Sequence, residues 1–311
     1  MGFVAEGEVK MMREHRDKIK TTKSYGNKLG FAIFQFVLKH IGLKWAYGIL
    51  FLIVPYYVIL KPEVYRRAKP YLQRRFPDDS FLKRYWRLFK YIFTFGQALI
   101  DQLYFGFVGE SQIKLEFERE AEILELLKWK PVIFLMSHVG FWEVAMAGSV
   151  RFDQKLNVMV NQDFDKDKRK SFYDLGEKKF NIINVKDLYG GMIEATNALL
   201  RGEAVGVTGD RAEGWRSQNV NFLGDPARFP VIAEQLAVAT GAAVIALFTA
   251  KKGNDQIYFR WADISTAVLA DEKLSKAEKI QRMLELYSEE LEVQVQNNPY
   301  LWFNFFDFWK L

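Results

Sequence analysis

The sequence predicts a mixed α/β fold: a mostly parallel sheet flanked by helices, with an N-terminal helical region that associates with a membrane. Three observations carry this. From about residue 130, short apolar runs alternate with longer helical patterns, as strands joined by crossover helices do. Earlier, Trp45 to Leu60 is an uncharged run of 16 residues. Hydrophobic residues make up 50% of the 311-residue chain, enough for a sizeable core.

In chain order, residues 1–28 are polar and basic, with Lys10, Arg13, Arg16, Lys18, Lys20, Lys23 and Lys28. Apolar blocks follow at 31–38 and 45–60, separated by Lys39, His40 and Lys44. As a helix, 45–60 is about 24 Å long at 1.5 Å per residue, against a hydrocarbon core of about 30 Å. A span lengthened by the flanking Lys44 and Lys61, a re-entrant helix and an interfacial helix all fit this length. A buried helical hairpin of a soluble protein is the bland reading. The run starts too late for a signal peptide and lacks a small-residue cleavage site. Its basic flank predicts a cytoplasmic amino terminus.

From Pro62 to Gly106 the pattern is helical, with a basic belt of Arg66, Arg67, Lys69, Arg74, Arg75, Lys83, Arg84, Arg87 and Lys90. Beside a membrane-seeking segment the belt reads as a contact for acidic headgroups; alone it reads as a solvated helix face. The chain therefore divides into a helical region, 1–110, and an α/β domain, 111–311. In the latter, strands are expected at 131–137, 156–161, 181–185, 204–208, 243–250 and 256–262. Helices are expected at 142–150, 166–179, 190–201, 229–240 and 271–296. The aromatic close, Tyr300 to Trp309, reads as core packing, with a groove wall or membrane anchor as alternatives.

The charge of +6 and pI near 9.1 favour an acidic partner: anionic lipid, a phosphorylated cofactor, an acidic carrier protein or nucleic acid. Nucleic acid is the weakest of these, because the basic residues flank an apolar block rather than base-stacking motifs. The chain has no cysteine, which excludes disulfides, thiolate metal sites and a cysteine-linked acyl intermediate. With His138 the one usefully placed histidine, no metal is expected.

The chemistry centres on Ser137-His138-Val139-Gly140-Phe141-Trp142-Glu143, which follows the apolar run 131–136. A histidine at the end of a buried strand stands at the carboxyl edge of the sheet, where open α/β sheets place their active sites. A turn at Gly140 then lets Glu143 fold back on the ring and orient it as a base for a hydroxyl attacking a carbonyl. A hydrogen-bonded structural histidine is the competing reading. No Gly-x-Ser-x-Gly elbow and no glycine-rich nucleotide fingerprint occurs, so direct attack of acceptor on donor is the simplest mechanism. Asp210-Arg211 ends the strand 204–208 and reads either as an anion-binding pair in the same cleft or as a turn-capping ion pair. Phe222 to Pro230 reads as a two-proline loop entering a helix, where Arg228 and the helix start hold an anion.

These blocks, in this order, resemble the lysophospholipid acyltransferase superfamily, and most closely its lipid A biosynthesis (lauroyl/myristoyl) branch. The resemblance rests on His138 to Glu143 as H-x4-E, Asp210-Arg211, the block from Phe222 to Ile245, Arg75-Phe76-Pro77, and Asn298-Pro299-Tyr300-Leu301-Trp302 as a P-x-x-W close. It implies a glycerolipid-acyltransferase fold on the cytoplasmic face of a bacterial inner membrane. It implies transfer of a fatty acyl group from acyl carrier protein or coenzyme A to a lipid or glycolipid hydroxyl or amine, with no bound cofactor. Carried over by motif, His138 and Glu143 form the catalytic pair, and Asp210 and Arg211 belong to the site. The chain departs from the branch at Phe141-Trp142, at Ala246-Leu247-Phe248, and in an aromatic rather than arginine-rich close. These departures bear on the acceptor and suit one other than lipid A. A lipid-binding scaffold with an idle pocket and an acyl-thioester hydrolase are the rival functions.

Overall fold

The computed structural model describes residues 28–108, 114–141, 154–160, 180–185, 188–212, 215–253 and 256–310. The chain forms two compact units, Met1–Gly42 and Leu43–Leu311. In the first, the described part is helix α1 (Lys28–His40), where His40 packs its ring 4.7 Å from that of Phe36.

The second unit opens with α2 (Leu43–Leu60), α3 (Pro62–Arg75) and α4 (Phe81–Val108). One stripe of α2 is buried, formed by Leu43, Ala46, Leu50, Val54 and Val58, at the spacing that lines one helix face. Helix α2 packs on α4: Leu50 of the stripe lies against Gly96, where a Cβ would come within 2.6 Å of Leu50 Cδ1, and the more exposed Phe51 beside it meets Phe89 and Phe93 edge-on. The opposite side of α2 is bare, with Trp45, Leu52, Ile59 and Leu60 exposed, and Phe81, Leu82 and Trp86 of α4 are exposed too. Helix α2 is long and apolar enough to cross a membrane, with 28% of its span buried inside the protein.

The α/β part contains β1 (Lys114–Phe117), α5 (Glu120–Trp129), β2 (Val132–Met136), β3 (Leu156–Val160), β4 (Phe180–Asn184), α6 (Met192–Leu200) and β5 (Ala204–Thr208). A hairpin of β6 (Ser217–Phe222) and β7 (Asp225–Pro230) follows, then α7 (Ile232–Thr240), β8 (Ala243–Lys252), β9 (Gln256–Asp263), α8 (Thr266–Ala270) and α9 (Lys276–Asn297). The described sheet has seven strands in the order β1-β9-β8-β2-β5-β3-β4. Every pairing is parallel except β8 with β9. The expected mixed, mostly parallel sheet flanked by helices is therefore what forms. All five residues of β2 are buried, as a central strand covered on both faces requires.

The differences from expectation have local causes. Strand β1 is only four residues long and pairs at the sheet edge, too short for a periodic signal. The stretch expected as a loop, 222–230, is instead the turn and second strand of a two-stranded hairpin. Leu223 and Gly224 turn it with φ of 52° and 87°, the two positive values of a tight hairpin turn. Leu223 tolerates this while its amide donates to Glu292 Oε2 at 2.9 Å. Pro226 and Pro230 fit because each strand of a two-stranded sheet is an edge. The helix expected from 229 begins at Ile232. That expected from 271 begins at Lys276, where Ser275 and Glu278 close a capping box. The helices expected at 142–150 and 166–179 lie outside the described residues, as does the domain boundary expected near residue 110.

Part of the basic belt, Arg74, Arg75 and Arg87, ties the helical region to the rest of the protein. Arg75 donates to the carbonyls of Val295 at 3.2 Å and Gln296 at 2.8 Å, at the carboxyl end of α9, where a cation meets unpaired carbonyls and the negative end of the helix dipole. Arg87 joins Asp79 and the Tyr300 hydroxyl. Arg74 pairs with Asp225 at 2.7 Å and lies 4.2 Å from the Trp309 ring centroid. Arg66 and Arg67 pair with Glu63. The belt thus anchors the aromatic close as well as facing solvent. That close is core: Trp302, Phe303, Phe308 and Trp309 are buried, and Tyr71 reaches the Pro299 carbonyl at 2.7 Å.

Candidate functional site

Parallel pairing brings the site together. The register of β2 with β5 aligns Met136 with Thr208. His138 and Asp210 each lie two residues past those partners, so they emerge side by side at the carboxyl edge of the sheet. His138 Nδ1 lies 2.7 Å from Asp210 Oδ1. The His138 amide donates to Asp210 Oδ2 at 2.8 Å, and Trp302 Nε1 donates to the same oxygen at 2.9 Å. Asp210 is 2% exposed. Burial alone would raise its carboxyl pKa. The adjoining His138, its hydrogen bonds and the Arg211 charge outweigh that and hold it at about 2. Asp210 is therefore an ionised, fully engaged acceptor that fixes the ring of His138 in one orientation.

The loop after β2 is held from two sides. On one, Thr249 of β8 accepts the Phe141 amide at 2.8 Å and donates to the Val139 carbonyl at 3.3 Å. Gly140 has φ of +63°, and a Cβ there would overlap the Thr249 carbonyl, so only glycine fits. On the other side lies the aromatic close. Val139 bridges Trp302, the Gly140 amide donates to the Leu301 carbonyl at 2.8 Å, and the Phe303 amide donates to the His138 carbonyl at 2.9 Å. Tyr91 of α4 in turn donates to the Trp302 carbonyl at 2.5 Å.

Arg211, half-buried, has its guanidinium 5.9 Å from the Phe306 ring centroid, and its charge acts on Asp210. Arg228 is elsewhere: it is exposed on β7, opposite Asn219, and no described contact joins it to His138. It belongs to the hairpin rather than to the entry of α7. Glu143 lies outside the described residues. Trp302 is the residue whose place the sequence did not show; the P-x-x-W resemblance singled it out without assigning it a task. Among the described residues no group of three or more His, Cys, Asp or Glu is arranged to hold a metal.

A second charged cluster lies farther along β8. Lys251 donates to Asp101 at 2.7 Å and to the Tyr47 hydroxyl at 2.9 Å, and that hydroxyl also bonds Asp101. It ties α2 and α4 to the strand that carries Thr249.

An imidazole held by an ionised carboxylate at the edge of a parallel sheet can take a proton from a hydroxyl or amine and return it to a leaving group. No individual curated protein matches the chain. The family model described as bacterial lipid A biosynthesis acyltransferase, however, matches residues 12–311. That span takes in the H-x4-E segment, both strands that deliver the His138–Asp210 pair, and the aromatic close that clamps it. The chain belongs to the bacterial lipid A biosynthesis acyltransferase family, a family of acyltransferases.

Proposed function

We propose that this protein moves a fatty acyl group from an acyl thioester, on acyl carrier protein or coenzyme A, to a hydroxyl or amine of a lipid or glycolipid. The 2.7 Å contact between His138 Nδ1 and Asp210 carries the reading. A neutral ring that donates Nδ1–H to Asp210 has Nε2 as its basic nitrogen. As the acceptor oxygen or nitrogen bonds the thioester carbonyl carbon, its proton passes to the ring. The tetrahedral intermediate then collapses, the carbon–sulfur bond breaks, and the imidazolium returns the proton to the thiolate. Asp210 keeps the tautomer and stabilises the imidazolium, as a carboxylate does in other histidine-based acyl transfers.

Two acids therefore answer to one imidazole, Asp210 by geometry and Glu143 by motif. We keep Glu143 as the second acid of the pair. Arg211 serves an anionic group of donor or acceptor, and Arg228 a more distant one. The helical region through residue 110 places the enzyme on the cytoplasmic face of the inner membrane, with 111–311 carrying the chemistry. The exposed apolar residues of α2 and of the start of α4 support membrane contact, with exposed Lys83 among them suited to anionic lipid.

The test is thiol release from acyl carrier protein and coenzyme A thioesters, with and without membrane lipid, for the wild type and for His138→Ala, Glu143→Gln and Asp210→Asn. Lipid-dependent release abolished by His138→Ala is expected. Release equal without lipid would mean water is the acceptor, and release retained by His138→Ala would remove the base.

A further inference from the structure

Helix α4 grips both supports of the loop that follows His138. On one side Tyr91 donates to the Trp302 carbonyl at 2.5 Å, and Trp302 in turn donates to Asp210. On the other side Asp101 accepts from Lys251 Nζ at 2.7 Å. Lys251 stands two residues past Thr249 on β8, in a stretch that still pairs regularly with β9, so the two side chains share one face of the strand. The Thr249 hydroxyl holds the Phe141 amide and the Val139 carbonyl, and its backbone carbonyl closes off the space at Gly140. Tyr47 of α2 completes the grip: its hydroxyl accepts from Lys251 at 2.9 Å and donates to Asp101. An unbroken chain of contacts thus runs from α2 and α4 through Lys251 and Thr249 to the loop behind the histidine.

An ion pair in this place is a poor source of stability. Asp101 is 1% exposed, and the loss of water around such a charge offsets most of its attraction to the partner, so apolar side chains of similar size would serve stability as well. What the pair supplies is direction. Charge-assisted hydrogen bonds are short and fix donor and acceptor in distance and angle, whereas apolar side chains can slide past one another. A catalytic group has to be held within about 0.5 Å of its productive position. A slip of β8 against the helices would carry Thr249, and with it the loop, out of that range.

We propose that Asp101 and Lys251 are positioning residues for acyl transfer: with Tyr47 they lock β8 to α2 and α4, so that Thr249 holds the loop behind His138 where the base needs it. The inference rests on His138 acting as the base. The lock acts through Thr249 and takes no proton itself.

The experiment measures thioester kcat and KM, urea unfolding and vesicle sedimentation for the wild type, the double variant Asp101→Leu with Lys251→Met, Thr249→Val, and the triple variant. The double variant leaves no unpaired charge, so its unfolding midpoint should hold. Its vesicle binding and KM should stay within about twofold of wild type while kcat falls at least about tenfold. Thr249→Val should lose kcat to a similar degree. Adding the double change to Thr249→Val should cost less than about twofold more, because the two act in one chain of contacts. A merely structural pair would lower the midpoint and multiply the Thr249→Val loss. Losses that multiply overturn the proposal, as does a folded double variant with wild-type kcat. Where the double variant does not fold, Tyr47→Phe takes its place with an expected loss of about threefold in kcat, and an unchanged kcat there overturns the proposal equally. A wild type that turns over no thioester defeats the acyl-transfer reading instead. The lock is then judged by the proton resonance of His138 Nδ1–H, which should shift in the double variant, and an unmoved resonance overturns it.

Discussion

Asp210→Asn tests the arrangement most directly, because the exchange keeps shape and removes charge. In the wild type, one carboxylate oxygen meets His138 Nδ1 at 2.7 Å and the other accepts from the His138 amide at 2.8 Å and Trp302 Nε1 at 2.9 Å. An amide has one acceptor oxygen. With that oxygen turned to the ring, its NH2 faces two buried N–H donors, and each orphaned donor costs about 1–3 kcal/mol. Turned the other way, the amide presents N–H to Nδ1 and selects the wrong tautomer. The carboxyl is held at about 2 against an ordinary 3.8, a net preference for the ionised form of roughly 2 kcal/mol at 1.36 kcal/mol per unit. The imidazolium formed during transfer loses that support together with its orientation. We expect turnover to fall about 10²–10⁴-fold, by analogy with other His–carboxylate pairs, and stability to fall by about 2–4 kcal/mol. Steady-state thiol release, read beside urea unfolding of the same protein, separates the two losses. A folded Asp210→Asn enzyme within threefold of wild type would refute the assignment of Asp210 as the orienting acid.

Four further outcomes are expected. Trp302→Phe removes a donor to a buried charge, worth about 1.5–3 kcal/mol, and should lift the Asp210 pKa; turnover should drop about tenfold, and unchanged turnover and unfolding midpoint would deny it a part in holding Asp210. Gly140→Ala forces a Cβ into the Thr249 carbonyl at positive φ, which should cost more than about 2 kcal/mol; calorimetry showing no loss would mean the loop has room to move. Leu82→Glu with Trp86→Glu should weaken sedimentation with anionic vesicles by at least about tenfold, since each buried apolar side chain is worth about 1.5–3 kcal/mol; equal binding would place the membrane contact elsewhere. Glu234, buried in the first turn of α7, should make stability fall with rising pH. Its unfolded form ionises from about 4.5 while its folded form holds the proton to about 8, so the penalty grows between those values and is level above them. Glu234→Gln should match wild type near pH 4 and exceed it by roughly 3 kcal/mol at pH 7; parallel unfolding curves would rule this out.

The elements with repeating local signals were legible. Strands 132–136, 156–160, 204–208 and 243–252 are apolar runs bounded by breaks, and their alternation with helices gave the parallel sheet. Strand β1 and the hairpin were not legible. Four residues carry no period, and a Leu-Gly turn with prolines in its second strand resembles a loop until Glu292, 69 residues on, accepts the turn amide.

What this sequence determined by itself is what neighbours along the chain decide: the fold class, the histidine at a strand end, the glycine after it, and the resemblance that the family match bears out. What only tertiary structure decided is that Asp210 meets that histidine. Asp210 reaches His138 because β5 lies beside β2 in a register that aligns residues 72 apart, and Trp302 completes the cluster from the far end of the chain. Spacing along a chain reports contacts within one turn or one loop. A strand's partner is chosen by the burial of both faces of a whole sheet, and that choice leaves no mark at the residues it brings together.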